Sequence, residues 1–205
     1  MMPKEMVTLS STNRGYDRHA SDYYITPIHR IEEFIEEFDK HEQVFNQRER
    51  ERVILDCCAG GDSTNPMSYP TALINKGVDK DSIKTIDIRE DSQAETIGDF
   101  LKMELDYKPN VIITNPPFVL AEEIIKKSFE LVEDDGWVIM LLRLNYFEGK
   151  KRFEGLWRDV GLPKYTFVYH KRLSFTADGR ADSVAYAHFV WKKSEKPEFT
   201  KLKVI

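Results

Sequence analysis

The chain has 205 residues, 41% of them hydrophobic and 32% charged, with a formal net charge of −5. That length suits a single folded domain over 1–205 and leaves little chain for a second core. No apolar stretch is long enough to span a membrane, and the opening MMPKEMVTLSSTNRG lacks the apolar core of a secretory signal, so the sequence predicts a cytoplasmic protein with no membrane role.

Residues 1–22 are polar and are expected to form a flexible arm. Thr26 and Pro27 predict a helix start, with a capping hydroxyl and a proline in the first turn. Ile28, Ile31, Phe34, Ile35 and Phe38 then recur at helical spacing, which gives that helix one apolar face. The charged run from Gln47 to Arg52 reads as a solvated lead-in to the first strand.

From residue 53 strands and helices alternate. Val53 to Leu55 predicts a short buried strand, followed by a loop and a helix ending near Gly77. Ile83 to Ile88 and Val111 to Thr114 predict two more strands, the latter followed by a helix from about Leu120 to Val132. Trp137 to Leu142 is a further buried strand. This alternation implies a mostly parallel sheet covered on both faces. Tyr165–Tyr169 and Ser183–Trp191 have no helical pattern between them, so they are expected to pair as a C-terminal antiparallel hairpin. The predicted class is therefore an open α/β sheet.

Cys57 and Cys58 are adjacent, which disfavours a disulfide, and two thiols are too few for a zinc site. The five histidines show no paired ligand spacing, so no metal is expected. Leu55-Asp56-Cys57-Cys58-Ala59-Gly60-Gly61 follows the first strand, where glycines let a ligand approach the backbone closely. A tight structural turn would use the same residues. Asp87 closes the second strand, where a carboxylate can accept both hydroxyls of a ribose; a solvated strand-end acid is the alternative. Gly98-Asp99-Phe100-Leu101 offers a polar acceptor and an aromatic platform, or equally a helix-start aspartate beside a core phenylalanine.

Asn115-Pro116-Pro117-Phe118 is the most specific signal and comes directly after a predicted strand. Two successive prolines forbid helix and hold a backbone carbonyl in a fixed direction. That carbonyl and the asparagine amide oxygen can accept both hydrogens of an exocyclic amine. Phe118 can stack on the ring that bears it.

With these motifs the chain resembles the class I, Rossmann-like methyltransferases of the amino-group type, most closely the small Dam-like adenine-specific DNA methyltransferases of phages and prophages. The resemblance runs from Asp22-Tyr23-Tyr24-Ile25-Thr26-Pro27 through Arg172-Leu173-Ser174-Phe175-Thr176 to Phe189-Val190-Trp191. It implies S-adenosylmethionine as cofactor, with Tyr24, Thr26 and Pro27 near its methionine moiety and Asp56, Ala59 and Gly60 lining the same pocket. It further implies Asp87 on the ribose, Asp99 and Phe100 on the cofactor adenine, and Asn115 to Phe118 on the target base. Phe175 is expected as a second stacking face. The glycine loop departs from the family's usual pattern at Cys57 and Cys58, and no large target-recognition domain fits. Only 143–163 and 171–183 remain to read a target.

The negative net charge hides an asymmetry. Residues 1–142 hold 16 Lys and Arg against 28 Asp and Glu, whereas 143–205 hold 14 against 7. The imbalance is either chance or a basic surface for phosphates built from Arg143, Lys150, Lys151, Arg152, Lys171, Arg172 and Arg180. Nucleic acid, DNA foremost, is the expected partner, and a homodimer or an accessory subunit is compatible with the sequence. The same chemistry on RNA or on a protein glutamine is the nearest alternative. A silent cofactor-binding subunit is another, although Asp56, Asp87 and Asn115 are all present.

Overall fold

The computed structural model describes residues 24–45, 52–175 and 183–205. The expected arm at 1–22, nearly all of the charged run at 47–52, Thr176 and Arg180 lie outside the described residues. Helix α1 (Ile28–Glu42) leads in chain order to β1 (Ile54–Asp56), α2 (Ser68–Asn75), β2 (Ile83–Asp87), β3 (Thr96–Ile97) and β4 (Val111–Thr114). Helix α3 (Ala121–Leu131), β5 (Trp137–Arg143), α4 (Lys150–Glu154), α5 (Leu156–Asp159), β6 (Tyr165–Val168), β7 (Tyr186–Lys192) and β8 (Lys201–Val204) complete the described fold.

The eight strands form one sheet in the order β3-β2-β1-β4-β5-β7-β6-β8. From β3 to β5 every neighbouring pair is parallel; β7 runs antiparallel to both β5 and β6. The expected α/β class and the C-terminal antiparallel pair are both present. Alternate residues of the central strands face opposite layers. Ile54, Val111, Ile113, Ile139 and Leu141 pack towards α1 and α2, while Leu55, Ile112, Val138, Met140 and Leu142 pack towards α3. Burial on both faces explains why these strands read as continuous apolar runs.

Four elements escape the sequence pattern for physical reasons. Strand β3 has only two residues, too few to show a period. All four residues of β8 are exposed, so its pairing with β6 leaves no apolar signature. Helices α4 and α5 have five and four residues. The start of α1 also differs from expectation. Pro27 occupies the cap position without a side-chain capping bond, and the Thr26 hydroxyl accepts instead from the Asn115 amide nitrogen at 3.0 Å.

One buried polar chain ties α1 to the sheet. Tyr169 donates its single hydroxyl proton to the Arg30 carbonyl at 2.7 Å, so it must accept from His188 Nδ1 at 3.0 Å. His188 Nε2 is then the acceptor of the Tyr69 hydroxyl at 2.9 Å. Burial holds the His188 pKa down to about 3, which keeps the ring neutral and this arrangement intact. Phe34 of α1 stacks on the same ring at 4.0 Å between centroids.

Candidate active site

In a doubly wound sheet the loops after parallel strands gather at one edge, and here they enclose a cleft that opens to solvent. Tyr24 and Thr26 close it from the start of α1, and Ser68 and Tyr69 from α2.

The loop after β1 turns at Gly60 and Gly61, whose φ values of 64° and 72° lie in the left-handed region. A Cβ on Gly61 would sit 2.7 Å from Met67 Cγ, so this position is closed to larger residues. The Gly60 N–H donates to Asp87 Oδ2 at 2.7 Å, and Asp87 Oδ1 accepts from the Arg89 N–H at 2.8 Å. Asp87 thereby joins the first two loops while keeping lone pairs for further donors. The Gly98 N–H also reaches the Asp87 carbonyl at 2.8 Å, which places the third loop beside it.

Asp56 ends β1 but lies beneath the cleft, wholly buried and not on its lining. Its Oδ1 accepts from the Cys58 N–H at 3.3 Å, and Oδ2 is buried without a hydrogen-bond partner. Burial raises its pKa to about 7, with the nearby Asp87 charge adding to the rise, against the opposing pull of the Thr114 hydroxyl and then of the Cys58 amide. The folded protein therefore retains a proton that the unfolded chain releases near pH 4. Stability should fall as pH rises from about 4 to about 7, by on the order of 4 kcal/mol from this group. In urea unfolding, Asp56→Asn should gain stability relative to the parent between pH 5 and pH 8. Parallel pH curves for the two proteins would contradict this.

The third loop supports both readings of its sequence. Asp99 and Phe100 line the cleft, yet Asp99 Oδ1 accepts from the Leu101 N–H at 3.1 Å and its Oδ2 pairs with Lys102 at 2.9 Å. Phe100 is 4% exposed and packs into the core with one edge towards the cleft.

Asn115, Pro116, Pro117 and Phe118 leave β4 along the cleft wall. Asn115 Nδ2 is held by Thr26, whereas Oδ1 is buried with no hydrogen-bond partner. The Pro117 carbonyl accepts from the Leu120 N–H at 2.9 Å, but no backbone N–H of the described residues reaches the Pro116 carbonyl. Asn115 Oδ1 thus stands without a partner beside Phe118, and the Pro116 carbonyl takes no backbone donor among the described residues. The Phe118 ring leans on Tyr186 at 5.8 Å and carries the Arg143 guanidinium 4.8 Å from its centroid.

Several expected site residues are placed elsewhere. Phe175 is 6% exposed and does not line the cleft. It packs edge-on against Tyr24 and Tyr186 at 6.1 and 4.9 Å, so it braces the wall instead of offering a second stacking face. Pro27 does not line the cleft either. Arg152 is half-buried, donating from Nε to the Tyr146 carbonyl at 2.8 Å with its guanidinium over the Tyr146 ring. Lys150 and Lys151 are exposed on α4, the former 3.6 Å from Glu154, and Arg172 is exposed after β6.

Much of the C-terminal positive charge is spent internally. Lys164 pairs with Glu42, Lys192 with Asp135, Lys193 with Asp134 and Lys203 with Glu37, each joining the basic segment to the acidic one. Such surface pairs contribute little stability individually, but they reduce the cations left for a polyanion. Conversely, Cys57, Cys58, Ser68, Tyr69, Arg89 and Leu120 line the cleft without having been expected there. Arg89 lies two residues after Asp87 and was within reach of sequence reasoning; Ser68 and Tyr69 carry no local signal. Among the described residues, no group of three or more His, Cys, Asp or Glu could hold a metal ion, and no helix is long and apolar enough to cross a membrane.

The sequence matches no protein-family model and no curated protein. Its fold matches solved structures at low identity. A proposed RNA methyltransferase from Pyrococcus horikoshii superposes with a TM-score of 0.62 over 90% of this chain and 95% of its own, at 13% identity. The type IIG restriction endonuclease BpuSI gives 0.63 over 89% of this chain, also at 13% identity, but only 27% of BpuSI is covered. A proposed class I S-adenosylmethionine-dependent methyltransferase from Listeria monocytogenes gives 0.60 over 88% of this chain and 65% of its own, again at 13% identity. The chain therefore spans less than two-thirds of the Listeria protein and about a quarter of the endonuclease. What these likenesses show is architecture: the chain has the Rossmann-like α/β fold of class I methyltransferases.

Proposed function

We propose that the chain transfers a methyl group from S-adenosylmethionine to the 6-amino group of adenine in DNA. The observation that carries this reading is Asn115, whose amide nitrogen is tied to Thr26 while its buried Oδ1 has no partner. A buried unpaired acceptor is costly unless a ligand supplies the donor. An exocyclic amine supplies two, one for Oδ1 and one for the Pro116 carbonyl.

The cleft also fits the cofactor. Asp87 lines it and keeps acceptor capacity for ribose hydroxyls, and the left-handed backbone at Gly60 permits close approach. When bound, S-adenosylmethionine supplies a methyl group activated by its sulfonium. Asn115 Oδ1 and the Pro116 carbonyl would accept both amine hydrogens, which frees the nitrogen lone pair from conjugation with the ring to take the methyl group. The S–CH3 bond breaks to leave a neutral thioether, and the extra proton of the methylated amine passes to solvent. Phe118, backed by Tyr186 and Arg143, would hold that ring flat. Orientation and preorganised acceptors account for the rate in this scheme, with no covalent nucleophile. Burial raises the Cys57 thiol well above its usual range, which suits neither attack nor metal binding.

A flat ring platform favours adenine over a glutamine side chain. DNA is favoured by the resemblance of the motifs to Dam-like enzymes, and an adenine in a duplex would have to leave the stack to reach the cleft. The test is to incubate the protein with methyl-labelled cofactor and, separately, DNA, RNA and glutamine peptides. Label in DNA is the expected result; label confined to RNA or peptide, or in none, would overturn the proposal.

A further inference from the structure

The carboxyl edge of the sheet carries exposed apolar side chains that the fold does not use. Val119 and Leu120 come directly after Phe118 and are 80% and 42% exposed, while Phe153 on α4 is 74% exposed. Helix α4 belongs to the same edge, since it lies beyond the C-terminal end of β5, which runs parallel to β4. It also abuts the start of α3, because a Cβ on Gly155 would lie 3.7 Å from Glu122 Oε1. The helix is anchored by Arg152 on Tyr146, so its exposed side chains are presented from a fixed support. Lys150, its Nζ 3.6 Å from the exposed Glu154, lies three residues before Phe153, which puts cation and ring on one helical face, and Lys151 is exposed beside it.

An apolar strip interleaved with lysines fits a partner that combines negative charge with flat apolar faces. A strand of nucleic acid with unpaired bases has both properties, because each base offers a stacking surface and each phosphate a charge. A paired duplex offers the charge but keeps its base faces covered. We infer that Val119 and Phe153, with Lys150 and Lys151, form a rim that stacks the unpaired bases flanking the target and holds their phosphates. This inference rests on the proposed reading of the cleft and adds to it a substrate conformation, a locally opened or single strand.

The test measures affinity of the whole chain for a single-stranded oligonucleotide, its fully paired duplex, and a duplex with one unpaired adenine. Phe153→Ala and Val119→Ser change exposed residues, so folding is not at stake. Phe153→Ala should weaken binding to the single strand and the mispaired duplex by roughly tenfold and Val119→Ser by less, both with a smaller effect on the paired duplex. Phe153→Trp should restore binding, and cofactor affinity should not move. Replacing Lys150 and Lys151 together by alanine should flatten the salt dependence by about one counterion per lost contact. Unchanged affinity of Phe153→Ala for all three oligonucleotides would overturn the rim, while methylation of DNA by the parent would leave the reading of the cleft standing. A parent protein that methylates no nucleic acid would overturn both. If Phe153→Ala instead abolishes self-association with DNA affinity intact, the patch is a protein contact and the inference fails.

Discussion

Asn115→Ala should reduce turnover by on the order of 100-fold or more while cofactor affinity stays within about a factor of two. The asymmetry comes from where the residue sits. Its unpartnered Oδ1 belongs to the loop after β4, whereas the features that suit the cofactor lie on the loops after β1, β2 and β3. Truncation removes a preorganised acceptor without disturbing Asp87 or the glycine turn. Thr26 makes the prediction sharper. Its hydroxyl accepts from Asn115 Nδ2, which fixes the amide with Oδ1 as the end left without a partner. Thr26→Val keeps the shape and loses the acceptor, so the amide becomes free to rotate; Thr26→Ser keeps it. Turnover should fall in the valine variant and return in the serine variant. Steady-state kinetics alongside calorimetry with the demethylated cofactor would separate the effects, and near-parental turnover in Asn115→Ala would remove the role given to it.

Asp87→Ala should weaken cofactor binding by more than about 100-fold, since hydrogen bonds to a charged acceptor contribute about 1.5–3 kcal/mol each and two are proposed. Part of this loss would come through the protein itself. Asp87 accepts the Gly60 and Arg89 amides, so its removal also frees the loops it joins. Asp87→Asn retains the shape and one acceptor oxygen and should fall between the two. Calorimetry checks the order of affinities, and thermal melting identifies any variant that has merely lost its fold. Unchanged affinity in a folded Asp87→Ala protein would contradict the pocket assignment.

The sequence shows most where burial is two-sided and local. Ile54, Leu55, Val111, Ile112 and Ile113 are apolar whichever way they point, so their strands stand out. The Asn115-Pro116-Pro117-Phe118 turn is legible because prolines constrain the backbone without help from distant residues. What stays hidden depends on partners far along the chain. Thr26 looks like a helix cap until Asn115, 89 residues away, claims its hydroxyl. Arg152 looks like one of three surface cations until Tyr146 holds its guanidinium. Phe175 reads as a stacking residue, yet Tyr24 and Tyr186 bury it. The basic excess after residue 142 looks like a phosphate surface, although Lys164, Lys192, Lys193 and Lys203 answer acids of the first two-thirds of the chain. Strand β8 is exposed throughout and is specified by backbone pairing alone.

The most direct test of the central claim asks which atom receives the methyl group. DNA treated with the protein and methyl-labelled S-adenosylmethionine would be digested to nucleosides and separated. The proposed pair of amine acceptors beside an aromatic platform predicts that the label elutes with N6-methyl-2′-deoxyadenosine and is lost with Asn115→Ala. Label on cytosine carbon, on a sugar, or on no nucleoside at all would contradict it.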